Sequence, residues 1–156
     1  MTEFHYSTDA DGVAFLTWDV PGKSMNVMSF EALAELEAGI DKALADTAVK
    51  GVVITSGKKD FAGGMDLNIL AKMREDAGDE PARGLFEGIM KMHALLRKIE
   101  RAGMDPKTLK GGKPIVAALP GTRITAVTIL TSMSEADLDA IGMRGPALDA
   151  AVRLAR

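Results

Sequence analysis

Residues Lys50–Leu67 read "KGVVITSGKKDFAGGMDL". The first part, Lys50–Ser56, is a short continuous apolar run, the pattern of a parallel strand buried on both faces. A short helix, "LNILAKM", can follow, with Asp66 as its cap. Between strand and helix stand two adjacent glycines, Gly63 and Gly64. The segment after a strand in an α/β sheet lies at the strand's carboxyl end, where ligands bind. The residues leave two readings open. One is a tight turn, since lone Gly-Gly pairs are common in turns. The other is a backbone site. A helix starting near Asp66 points free N–H groups and its positive dipole end at the loop. Without Cβ atoms in the way, an oxyanion can approach a main-chain N–H.

Working outward, Gly12–Val20, "GVAFLTWDV", is bounded by "DADG" and "PG" and reads as a strand. "PGKSMN" is a loop. Ser29 is a candidate N-cap for "FEALAELEAGIDKALAD", whose apolar residues at 30, 33, 36, 40 and 44 have helical spacing. Beyond the glycines, Arg74–Gly84 reads as a charged surface loop. Leu85–Gly103 reads as an amphipathic helix, with Leu85, Ile89, Met92, Leu96 and Ile99 along one face. Pro114–Pro120, "PIVAALP", is a third buried strand. This order predicts an α/β layered fold with parallel pairing. After Gly121, "RITAVTIL" is β-rich. "SEADLDAIG" reads as a short helix with Ser134 as N-cap and Gly142 as stop, and "GPALDAAVRLAR" opens another helix.

Composition excludes several function classes. The 156 residues suit one ordinary domain, 47% hydrophobic and 26% charged. The net charge is −3 and no basic block occurs, so no nucleic-acid partner is expected. Cysteine is absent, which removes disulfides, thiolate catalysis and cysteine-based metal sites. No apolar run approaches the ~18 residues of a membrane span, and the polar start "MTEFHYSTDADG" lacks the apolar core of a secretory signal. The expected compartment is the cytoplasm. "LKGGKP" fails as a phosphate loop, because Pro114 stands where Ser or Thr should follow Lys113. His5 and His93 are far apart, and the acids of "EDAGDE" read as a solvated loop, so no metal is expected.

Three stretches, "DVPGKSMNVMSFEALAELEAGID", "KGVVITSGKKDFAGGMDL" and "KGGKPIVAALPGT", occur in the order of the enoyl-CoA hydratase/isomerase (crotonase) family. The chain resembles the first half of that family from about Gly12 to Thr122. It is most similar to the hydratase part of multifunctional fatty-acid oxidation enzymes, which carry a 3-hydroxyacyl-CoA dehydrogenase as well. The resemblance implies the ClpP/crotonase layered fold and a coenzyme A thioester as substrate or ligand, with no separate cofactor. It also implies a homo-oligomer, since relatives assemble as trimers. Lys23 and Asn26 match the loop that lies against the CoA moiety. Ala62, Gly63 and Asp66 match the loop that binds CoA through its backbone. Met65, after Gly64, matches the position whose N–H serves the oxyanion, so the family likeness favours the site over the turn.

The resemblance stops at Thr122. The family continues with a Gly-rich segment bearing a second oxyanion N–H, then two Glu residues that handle the water and its proton. Here the acids that follow are Glu135, Asp137 and Asp139, on the polar face of a short helix. The expectation is therefore an incomplete crotonase-like half-domain over residues 1–122, a truncated domain that binds enoyl-CoA and is inactive alone. A tail of different origin, 123–156, would pack on the same core as a strand and two helices. That tail resembles a fragment of bacterial orotidine 5′-monophosphate decarboxylase, with Thr131 at a pyrimidine-contacting position. The Asp-Lys-Asp-Lys array of that family has no counterpart, so decarboxylation is not expected. A structural or artificial chimera without activity is the alternative.

Overall fold

The computed structural model describes residues 2–76, 81–102, 104–105, 107–108 and 110–119. In chain order these form β1 (Phe4–Thr8), β2 (Val13–Trp18), α1 (Phe30–Ala45), β3 (Gly51–Ser56), α2 (Leu67–Asp76), α3 (Pro81–Arg101) and β4 (Ile115–Ala117). The strands make one sheet in the order β1-β2-β3-β4. β2, β3 and β4 are parallel, with Trp18 level with Ser56 and Val52 level with Ile115. The α/β layering expected from the order of elements is present.

β1 is a strand that the sequence reading did not foresee. It pairs antiparallel with β2, placing Phe4 opposite Trp18. Of its five residues only Phe4 is buried, stacked on the Trp18 ring at 5.3 Å between centroids. A single apolar anchor in a polar stretch gives no readable alternation, so the pairing partner decides the strand.

α1 starts at the expected cap. Ser29 Oγ accepts from the Ala32 N–H at 2.8 Å. Its buried stripe is Ala32, Leu36, Ile40 and Ala43. Gly39 lets the helix sit close on the sheet, because a Cβ there would lie 2.4 Å from Leu16 Cδ2.

Of the expected loop Arg74–Gly84, residues 74–76 and 81–84 are helical. α2 runs to Asp76 and α3 starts at Pro81. A proline is tolerated in the first turn of a helix, where its missing N–H has no partner to lose. The apolar face of α3 also differs from the reading. The residues of α3 turned to the core are Leu95 and Ile99, with Ala102 just past its end, while Ile89 and Leu96 are 37% and 50% exposed.

The main core lies between one sheet face (Leu16, Trp18, Val52, Ile54) and the helices α1 and α3 (Leu36, Ile40, Leu95, Ile99). Lys98 Nζ bridges the two helices, donating to Glu37 Oε1 at 2.6 Å and Asp41 Oδ1 at 3.0 Å. Lys113, just before β4, donates to the end carbonyls of α1 at Ala43 (2.7 Å) and Leu44 (3.0 Å). A cation there also suits the negative end of the helix dipole.

Among the described residues no helix is long and apolar enough to cross a membrane. The strand–helix–helix reading of 123–156, with Thr131, Ser134, Glu135, Asp137, Asp139 and Gly142, lies outside the described residues.

Candidate functional site

β2 and β3 end level with each other. The segments that leave them, 19–28 and 57–66, therefore emerge side by side at the carboxyl edge of the sheet. Three main-chain hydrogen bonds join them. The Gly63 N–H donates to Asn26 O at 2.7 Å, Met28 N–H to Gly64 O at 2.8 Å, and Asp66 N–H to Met28 O at 3.0 Å. Together they make a one-residue parallel bridge between Met28 and Met65.

That bridge fixes the direction of one N–H. In a parallel bridge the residue opposite Met28 turns its own N–H and C=O to the other side. The Met65 N–H accordingly has no acceptor among the described residues. Gly64, beside it, has φ +94°, in the left-handed region that favours glycine. A Cβ built on Gly64 would meet nothing within 4 Å, so the space in front of the loop is open. Ala62, Gly63 and Gly64 are exposed, and Met65 and Asp66 half-buried. A main-chain N–H left without an acceptor is the kind of donor that stabilises a developing oxyanion.

The other expected site residues gather at the same two loops. Asp66 caps α2, its Oδ1 accepting from the Asn68 N–H at 2.9 Å. Its Oδ2 faces Lys23 Nζ at 3.5 Å, and Lys23 is half exposed. The Asn68 N–H first, and the Lys23 charge after it, hold the Asp66 carboxyl below the usual carboxylate range.

Asn26 lies in the first of these two loops. It is fully buried. Its Oδ1 accepts from the Val20 N–H at 3.0 Å, and its Nδ2 donates to Trp18 O (2.9 Å), Ser56 Oγ (2.9 Å) and Phe61 O (3.3 Å). The side chain lies behind the loops and ties their roots together.

Two contributors were not foreseen. Ser56 Oγ accepts from Asn26 and from the Lys58 N–H, and donates to Asp60 O at 2.8 Å. Lys58 Nζ pairs with Asp19 Oδ1 at 2.5 Å. The signal for the second is the strand register. With Trp18 level with Ser56, the residues just past each strand end are neighbours.

No protein-family model matches the chain. Curated relatives do. The fatty acid oxidation complex subunit alpha of Shewanella oneidensis is 32% identical over 119 residues, covering 76% of this chain and 15% of that protein. The same subunit of Shewanella halifaxensis is 43% identical over 68 residues, 43% of this chain and 10% of that protein. The chain thus spans a small part of the curated relatives it matches. Among solved structures, an enoyl-CoA hydratase/isomerase from Marinobacter aquaeolei superimposes with a TM-score of 0.61 at 16% identity, over 77% of this chain and 42% of that one. An enoyl-CoA hydratase from Thermoplasma volcanium gives 0.57 at 24% identity, over 77% and 41%. These matches concern the N-terminal part of the chain, and nothing in them supports the likeness of 123–156 to orotidine 5′-monophosphate decarboxylase. In its N-terminal part the chain belongs to the crotonase fold of the enoyl-CoA hydratase/isomerase proteins.

Proposed function

We propose that the two joined loops bind a coenzyme A thioester of fatty-acid oxidation. The Met65 N–H donates to the thioester carbonyl oxygen, and the main chain of Ala62–Gly64 lies against the CoA moiety. The observation that carries this reading is the Met28–Met65 bridge, which turns the Met65 N–H away from Met28 and leaves it without an acceptor among the described residues. The names of the relatives support the substrate class, since an enoyl-CoA presents a thioester carbonyl next to its double bond. A carbonyl that gains enolate character accepts more strongly from a fixed N–H than a resting carbonyl does.

The test is a titration with a short-chain acyl-CoA. Gly64→Val should weaken binding more than tenfold, about 1.4 kcal/mol. The new side chain fills the open space in front of the Met65 N–H and is strained at φ +94°. A Gly64→Val protein with an unchanged far-UV spectrum and unchanged affinity would remove this site from consideration.

Lys23 is expected to act as a point charge on a CoA phosphate. Asp66 already offsets part of that charge at 3.5 Å, and the Lys23 side of the pair is exposed. Lys23→Ala should therefore weaken binding by less than about tenfold at low salt. The difference should vanish near physiological ionic strength, where the screening length is about 8 Å. A salt-independent loss, or none at low salt, would show that Lys23 is not at the phosphates.

A further inference from the structure

The sheet has two faces, and the described helices account for one of them. Leu16, Trp18, Val52 and Ile54 meet α1 and α3, and α2 packs on α3. Alternation along the strands turns the intervening residues to the opposite face. There Phe15, Val53 and Val116 stand level in one row, with Val13 and Ala118 in the same cluster. Among the described residues this cluster has no member from a helix.

The opposite face is nevertheless closed. Val13 and Val53 are 0% exposed and Val116 is 3% exposed. Side chains stand off a sheet roughly at right angles, so neighbours on adjacent strands do not close over them. Full burial needs a second layer. The sequence makes the same demand, because β3 is apolar at Val52 and Val53 alike, the pattern of a strand buried on both faces. The cover is one-sided. His5 and Ser7, which continue this face across β1 beside Thr17 and Phe15, are exposed. Phe15 on β2 is half-buried, and Val53 on β3 and Val116 on β4 are buried. The burial arises within one chain, so it needs no second copy.

We propose that residues 120–156 are this second layer, lying over the β3–β4 side of the face. They follow directly on β4, the strand at that side of the sheet, and they are the one long stretch outside the described residues. Their composition suits a flat face of valine and alanine. "ITAVTIL" is apolar, and "GPALDAAVRLAR" carries Leu148, Ala151, Val152 and Ala155 at helical spacing, with Asp149, Arg153 and Arg156 between them. Such a stretch can bury one side and leave its charges in water. The tail is then the second layer of a single domain rather than an appendage to it.

The test is photo-crosslinking of the full chain from inside the face. Phe15→p-benzoylphenylalanine puts a reactive ketone in the row of Val53 and Val116, at a half-buried position that already holds an aromatic ring. Ultraviolet light should join it, within one chain, to a tryptic fragment from between Ile124 and Arg156. Thr17→p-benzoylphenylalanine, half-buried on the same face, should give the same product and serves if the first variant loses its far-UV spectrum. His5→p-benzoylphenylalanine, exposed on that face, should lose the product. Joining only to fragments that end at or before Arg123 overturns the proposal. So does joining of two chains, which would assign the face to a second copy. No joining in a folded variant overturns it as well, by showing the face open to water, and so does an equal yield from position 5.

Discussion

Asn26→Ala should lower the free energy of unfolding by about 3 kcal/mol or more, and urea denaturation followed by tryptophan emission should show it directly. Asn26 is fully buried, and its amide bonds four residues on two chain segments: Trp18 and Val20 on one, Ser56 and Phe61 on the other. Each buried group left without its partner costs about 1–3 kcal/mol. The Val20 N–H and Phe61 O are orphaned, whereas Trp18 O keeps the Gly57 N–H and Ser56 Oγ keeps the Lys58 N–H and Asp60 O, and water entering the space would offset part of the loss. Trp18 lies in the same core and is 2% exposed, so its emission reports on this region. Ser56→Ala keeps the Asn26 side chain and removes one hydroxyl, so it should cost about 1–2 kcal/mol. The graded pair matters because the single domain is only marginally stable and Asn26→Ala could fail to fold. A midpoint for Asn26→Ala within about 0.5 kcal/mol of wild type would show that the loops are held by their backbone bridge alone.

The same residue shows what the sequence could and could not say. Where a signal is local, it was legible. The apolar run of β3, the Ser29 cap of α1 and the Asp66 cap of α2 need only neighbours in the chain, and each is present. The glycine pair was legible as an opening in the backbone for the same reason. Where two choices satisfy the same local rule, the chain alone does not choose. α3 has apolar residues at both 95 and 96, and both phases give a helical stripe. Contact with α1 decides, through Leu95 in the core and the Lys98 bridge to Glu37 and Asp41. Leu96 is then left outside. β1 was illegible because its strand character is conferred by β2, through the Phe4–Trp18 stack. Asn26 belongs to this class too. A loop asparagine beside a ligand site and one that ties loop roots together look identical until strand ends are placed side by side.

Hydration of a short enoyl-CoA by the purified 156-residue chain should run several orders of magnitude below the rate of an ordinary hydratase. The proposed site offers one oxyanion donor, the Met65 N–H. The resemblance finds no counterpart of the second donor, and removing one such donor typically lowers the rate by ~10²–10³. Hydration also needs a base for water and an acid for the carbon that is protonated, and loss of that help removes a further ~10²–10⁴. Of the three described acids in the two loops, Asp60 is exposed and the other two are otherwise engaged. Asp66 caps α2 and faces Lys23, and Asp19 pairs with Lys58. A carboxylate held below its usual range, as Asp66 is, is also a weaker base. The two deficits need not multiply, because groups that act as a unit are not additive. Acyl-CoA binding should survive, since the proposed contacts are main-chain N–H groups that exist in this chain. Steady-state hydration of crotonyl-CoA, run beside the binding titration, separates the outcomes. Binding without turnover supports a CoA-thioester module. Neither binding nor turnover leaves a fold without that function. Turnover within about tenfold of an ordinary hydratase, close to 1.4 kcal/mol of its barrier, would overturn the expectation. The acid–base pair would then have to come from other carboxylates, with Glu135, Asp137 and Asp139 the first to be replaced.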